Sequence, residues 1–125
     1  MARVYSSDTL YWKNMTDMRE PFPLSDAGKK ARELIIDFVK RLDFGETAGK
    51  KIFYSPKEWR EKKKDDKYVY GLDSELIICH HGDFNKIFNV IDGDYVLLDR
   101  IRSMLDKIDL VVEMCSNKYS AVYRR

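Results

Sequence analysis

Between Glu75 and Asp83 the chain reads Glu-Leu-Ile-Ile-Cys-His-His-Gly-Asp. The run Leu76-Ile77-Ile78-Cys79 has no polar side to turn towards water. A short run of this kind is expected to be a strand covered on both faces, and so the centre of a sheet, from Glu75 to His80 or His81. Gly82 then permits a turn. His80, His81 and Asp83 fall where a buried strand opens into a loop, which is a common place for a functional site.

The flanking segments supply the partners for such a strand. Ser25 is a good N-cap and Asp26 suits the positive end of a helix. After them Ala27, Ala31, Leu34, Ile35, Phe38, Val39 and Leu42 recur at spacings of three and four, with Gly45 just beyond. That pattern predicts an amphipathic helix from Ser25 to about Asp43. Lys50–Tyr54 reads as a short strand. Ser55, Pro56 and Glu58 then occupy the N-cap, N1 and N3 positions of a capping box, opening a short charged helix to about Lys64 with Trp59 as its apolar anchor.

Phe84–Val90 reads as another brief strand packed through Phe84 and Phe88. Asp92 or Asp94 caps a further helix ending near Lys107 or Ile108, its stripe formed by Tyr95, Leu98, Ile101, Met104, Leu105 and Ile108. Leu110–Cys115 and Tyr119–Arg124 are β-prone runs joined by Ser116-Asn117-Lys118, which predicts a C-terminal β-hairpin. The whole is expected to be an α+β fold: a small, mainly antiparallel sheet with two long amphipathic helices packed on one face. Leu76–Cys79 is expected to lie beside one arm of the hairpin. Residues 1–24 read as an arm or short strands (Arg3–Ser6, Thr9–Lys13) anchored by Tyr11 and Trp12, with Pro21 and Pro23 enforcing an extended entry.

At 125 residues the chain is read as one domain, 1–125, able to bury a core without staples. A charged share of 35% points to a well-solvated surface, and a net charge of +2 lacks the basic excess of a duplex-DNA protein. Both cysteines, Cys79 and Cys115, lie in apolar runs and read as small buried hydrophobes. No segment approaches the roughly 20 apolar residues of a membrane span. The N-terminal residues lack the apolar region of a signal peptide, so a cytoplasmic location is expected.

Three stretches carry a resemblance: Ile-Phe-Tyr-Ser-Pro-Lys-Glu-Trp-Arg-Glu at 52–61, Gly-Leu-Asp-Ser-Glu-Leu at 71–76 and Tyr-Ser-Ala-Val-Tyr at 119–123. The part of the chain from Ile52 onward resembles a group of small, uncharacterised proteins of bacteriophages and mobile genetic elements. The resemblance carries over no catalytic residue. It implies an accessory protein in a bacterial host cell that binds and modulates or blocks a host component, such as a defence system, in the manner of an anti-CRISPR.

Two regions are candidates for function. The first is the basic and aromatic group Trp59, Arg60, Lys63, Lys64, Tyr68 and Tyr70, since aromatic and arginine side chains are the usual anchors of an interface. The partner expected there is a host protein or protein–nucleic acid complex. The same segment fits a nucleic-acid-binding module, with rings to stack bases and lysines to hold phosphates. The second is His80, His81 and Asp83, as an enzyme or as a small-ligand or nucleotide binder. Adjacent strand residues face apart, and these are the only two histidines of the chain, so a metal site would need distant ligands such as Asp73, Asp92 or Asp94. No metal and no cofactor is expected, no catalytic residue is assigned, and the protein is read as more of a binder than an enzyme.

Overall fold

In the computed structural model the described residues are 22–125. The expectations for residues 1–21, including the strands at Arg3–Ser6 and Thr9–Lys13, lie outside them. The fold is α+β. Among the described residues it has a four-stranded antiparallel sheet and four helices. In chain order these are α1 (Asp26–Arg41), β1 (Phe53–Tyr54), α2 (Pro56–Lys62), β2 (Leu76–Cys79), α3 (Asp83–Phe88), α4 (Tyr95–Asp106), β3 (Leu110–Ser116) and β4 (Tyr119–Arg124). The sheet order is β1-β2-β4-β3.

The apolar run does form the interior strand β2, and all four of its residues are buried. Leu76 faces Val122 and Cys79 faces Tyr119 across β4, while Phe53 and Tyr54 of β1 face Ile78 and Ile77 on the other side. Alternation along β2 sends Leu76 and Ile78 into one core and Ile77 and Cys79 into another. The first core joins β2, β3 and β4 to Ile35 and Val39 of α1, Phe84 and Phe88 of α3, and Leu98, Ile101 and Leu105 of α4. The second, smaller core is aromatic. Trp59 of α2 packs there on Tyr54 and Tyr119, with ring centroids 5.0 and 4.8 Å apart.

The helix starts follow the capping logic of the sequence. Ser25 Oγ accepts from Gly28 N–H, Ser55 Oγ accepts from Glu58 N–H with Pro56 in the first turn, and Asp94 accepts from Val96 and Leu97 N–H. Glu75 ties α1 to the sheet: its carboxylate accepts the Ser25 hydroxyl at 2.5 Å and lies 3.4 Å from Arg124.

The structure corrects several expectations. The stretch 84–90 is not a strand. Residues 83–88 are helix α3, because Phe84, Ile87 and Phe88 at helical spacing all turn into the main core and Asp83 carries the first turn. The strand expected over Lys50–Tyr54 is only Phe53–Tyr54, which among the described residues pairs with β2 alone. Tyr95 and Ile108, placed in the buried stripe of α4, are exposed, as is Leu42 at the end of α1. Tyr95 is the first residue of α4 and Ile108 lies two beyond its last, where the helix no longer faces the core. Leu34 is only partly buried, and Ile35 holds the central position on α1 instead.

Candidate functional site

The second core opens at its surface into a concavity of about 260 Å³. Helix α2 contributes Trp59, and the segment after it contributes Lys63, Asp66, Tyr68, Val69 and Tyr70. The turn between β3 and β4 contributes Ser116, Lys118 and Tyr119. The sequence brings these together in three steps. The Ser55 cap, with Pro56 in the first turn, fixes where α2 begins, so Trp59 is held at a set height over the sheet. Trp59 is buried against Tyr119, which pins α2 to β4. The chain then returns to β2 across the top of this pair, and Tyr68 and Tyr70 are carried past the open end.

Tyr68 and Tyr70 are 75% and 62% exposed. Tyr70 is nevertheless fixed. Its N–H donates to the Tyr119 hydroxyl at 3.0 Å, and that hydroxyl donates to the Tyr70 carbonyl at 2.9 Å. The exposed ring thus stands on backbone that is tied to the sheet. Lysines lie over the rings around it: Lys63 Nζ is 5.1 Å from the Trp59 ring centre and Lys67 Nζ is 5.7 Å from that of Tyr68. Two ammonium groups, Lys63 and Lys118, and one carboxylate, Asp66, line the concavity, so its walls are aromatic with a net positive charge.

Of the six residues expected to bind a partner, the structure gathers Trp59, Lys63, Tyr68 and Tyr70 at this concavity. Arg60 and Lys64 are exposed on the outer side of the same segment, and Lys64 sits 3.9 Å from Glu61. Trp59 is a correction: at 4% exposure it is a core residue under the site rather than an anchor offered to a partner. Lys118, Ser116 and Tyr119 were missed. They lie far along the chain from Tyr68, and only the pairing of β2 with β4 brings them near.

The histidine segment is built differently. His80 is 8% exposed, and both ring nitrogens are engaged, Nδ1 with the Asn117 carbonyl at 3.1 Å and Nε2 with Ser120 Oγ at 2.7 Å. Neutral His80 with the proton on Nδ1 satisfies both contacts, donating to the carbonyl and accepting from the serine. Burial lowers its pKa, the Asn117 carbonyl opposes this, and His81 adds to it. His80 thus braces the turn between β3 and β4. His81 points elsewhere and is half-buried, its pKa lowered by burial and then by Lys50 and Lys62.

Asp83 is a structural clamp. Its Oδ2 accepts from Gly45 and Glu46 N–H at 3.1 and 2.9 Å, and its Oδ1 lies 3.4 Å from Lys86. Burial pushes the Cys79 thiol up to about 12 and raises that of Cys115, so neither is poised as a thiolate nucleophile. Among the described residues no three of His, Cys, Asp or Glu converge on a point where they could hold a metal ion. No described helix is long and apolar enough to cross a membrane.

No protein-family model, no curated protein and no solved structure matches the chain.

Proposed function

We propose that the protein is a non-enzymatic binding protein that occupies the surface of a macromolecular partner through the face bearing Tyr68 and Tyr70. The observation that carries this reading is the pairing of exposure with fixation. Two large aromatic side chains are held out to solvent beside a concavity, and one of them stands on backbone tied down by Tyr119. Two exposed rings beside a concavity offer apolar surface that a partner can cover, and a group whose backbone is already held in place loses little freedom when it is. At about 260 Å³ the concavity falls below the usual range of small-molecule sites, roughly 300–1,000 Å³, and suits one protruding group of a larger partner.

The resemblance to accessory proteins of phages and mobile elements supplies the setting. The partner would be a component of the bacterial host, for example of a defence system, met in the host cytoplasm. The enzyme reading is weaker because His80 and Asp83 spend their polar atoms on Asn117, Ser120, Gly45 and Glu46.

The test is capture from bacterial lysate on the immobilised protein, in parallel with a Tyr68→Ala, Tyr70→Ala double variant. A component retained by the wild type and lost from the equally stable variant supports the reading. Equal retention by both, or by neither, removes it.

A further inference from the structure

Resting on that reading of the same face, we infer that the concavity beside Tyr68 and Tyr70 binds single-stranded nucleic acid, as a free strand or as the exposed strand of a protein–nucleic acid complex.

The argument begins with the walls. Trp59, Tyr68, Tyr70 and Tyr119 all border one concavity, and Tyr68 and Tyr70 are largely uncovered. A base offers a flat face to an exposed ring such as that of Tyr68 or Tyr70, and stacking is tolerant of which base it is. A volume of about 260 Å³ admits one splayed-out base beside the neighbouring rings. It does not admit a duplex, and stacked pairs would not offer their faces.

Charge supplies the second part. Lys63 and Lys118 stand on the wall and Lys67 lies over the Tyr68 ring. Ammonium groups placed beside ring faces are where the phosphates of a strand with stacked bases must run. From Lys57 to Tyr70 the bases are Lys57, Arg60, Lys62, Lys63, Lys64 and Lys67, and the acids are Glu58, Glu61, Asp65 and Asp66, six against four and a net of +2. Two of those acids already face lysines, Glu58 with Lys51 at 2.5 Å and Glu61 with Lys64 at 3.9 Å. The positive charge of this segment therefore exceeds the negative, as it does on the concavity's wall, where Lys63 and Lys118 face Asp66 alone, and it complements a phosphate backbone.

Pre-organisation supplies the third. The two hydrogen bonds between the Tyr119 hydroxyl and the Tyr70 backbone hold the base of one stacking ring in place before any strand arrives. The Tyr70 backbone thus loses less freedom at the moment of binding.

The experiment is fluorescence anisotropy with a labelled twelve-residue oligothymidylate and the matching oligouridylate, run against the full chain, with a labelled polyglutamate peptide of similar length as the second probe. Both oligonucleotides should bind. Neutralising about three phosphates, those near Lys63, Lys67 and Lys118, predicts a slope of about −2 in log affinity against log salt, so a fourfold rise in salt weakens binding about twentyfold. Tyr68→Ala and Tyr70→Ala should each weaken it about fivefold or more, and Tyr68→Phe, which keeps the ring, should restore it. Lys118→Ala should reduce the slope by about 0.7. All three positions are exposed, and melts checked by circular dichroism will show whether each variant is folded.

Absence of an anisotropy change with both oligonucleotides overturns the inference, and so does binding indifferent to both tyrosines. Equal affinity for polyglutamate also overturns it, since the face would then take acidic protein segments. If the oligonucleotides fail while lysate capture still depends on Tyr68 and Tyr70, the partner is a protein and the binding reading stands. If both fail, the face binds neither.

Discussion

The Tyr119 hydroxyl holds both polar backbone atoms of Tyr70, accepting from its N–H and donating to its carbonyl. One oxygen thus anchors the segment that leads from α2 back to β2. Tyr119→Phe removes both bonds and leaves the ring packed on Trp59. Each bond contributes about 0.5–1.5 kcal/mol, so the variant should lose about 1–3 kcal/mol of stability in urea melts. In the variant the Tyr70 amide should also exchange with solvent faster than in the wild type, with the amides of α1 as the internal reference. Unchanged exchange at Tyr70 would mean the tie does not hold the loop.

Ile78 is fully buried at the centre of the main core, whereas Leu34 is only partly covered. Ile78→Ala should cost about 2–5 kcal/mol, the range for truncating a large buried aliphatic side chain. Leu34→Ala should fall clearly below that, with Ile35→Ala close to Ile78→Ala. Urea denaturation of the three variants orders them, and equal losses at Leu34 and Ile35 would contradict the orientation of α1.

Gly28 reverses the usual rule for helical glycines. Glycine to alanine inside a helix normally stabilises by about 0.5–1 kcal/mol. Gly28 lies in the first turn of α1, and a Cβ there would overlap the carbonyl oxygen of Glu75 and crowd Leu24. Gly28→Ala should therefore lower the melting temperature, and a raised one would show that α1 stands further from the strand.

His80 links stability to pH. Its pKa is lowered in the fold from the ordinary 6.5, chiefly by burial. Below about pH 6.5 the unfolded chain binds a proton that the folded chain resists, so stability rises with pH there. It should be fully present above 6.5 and fall as pH drops through 6.5 towards the lower folded value. His81 shifts in the same direction and stays in both proteins when wild type is compared with His80→Gln. Melts at about pH 7.5 and about pH 5.5 should show a larger loss for wild type than for the variant. Equal losses would mean His80 is charged in the fold.

Much of the scaffold was legible because its signals are local. The run Leu76–Cys79 announces a covered strand, and Ser25, Ser55 and Asp94 announce helix starts by accepting from N–H groups two or three residues on, with Pro56 in the first turn of α2. What was missed depends on pairs distant in sequence. Asp83 looks like a site residue until its carboxylate is seen to hold Gly45 and Glu46. His80 looks like a base until Asn117 and Ser120 are placed around it. The helix α3 was readable in the spacing of Phe84, Ile87 and Phe88, but the preceding Gly82, at φ 57° and close under Glu46, disguises its start as a simple turn.

The last prediction separates the charged side of α2 from the aromatic face beside it. Arg60 and Lys64 are exposed, and an exposed pair such as Lys64 with Glu61 contributes about 0–1 kcal/mol. Lys63 over Trp59 adds about 0.5–1 kcal/mol at such a site. Replacing Arg60, Lys63 and Lys64 together by Ala should thus lower stability by no more than about 2 kcal/mol. The same change removes one lysine from the concavity and two cations from its approach. Binding to the partner should weaken at least about tenfold, or about 1.4 kcal/mol, mostly through slower association at low salt. The Tyr68→Ala, Tyr70→Ala pair should instead act mainly on dissociation, because it removes what a bound group rests on. Surface plasmon resonance on the captured partner resolves the two rates. If the charge variant binds as wild type does while the tyrosine variant fails, the outer side of α2 is solvated surface and recognition belongs to the rings alone.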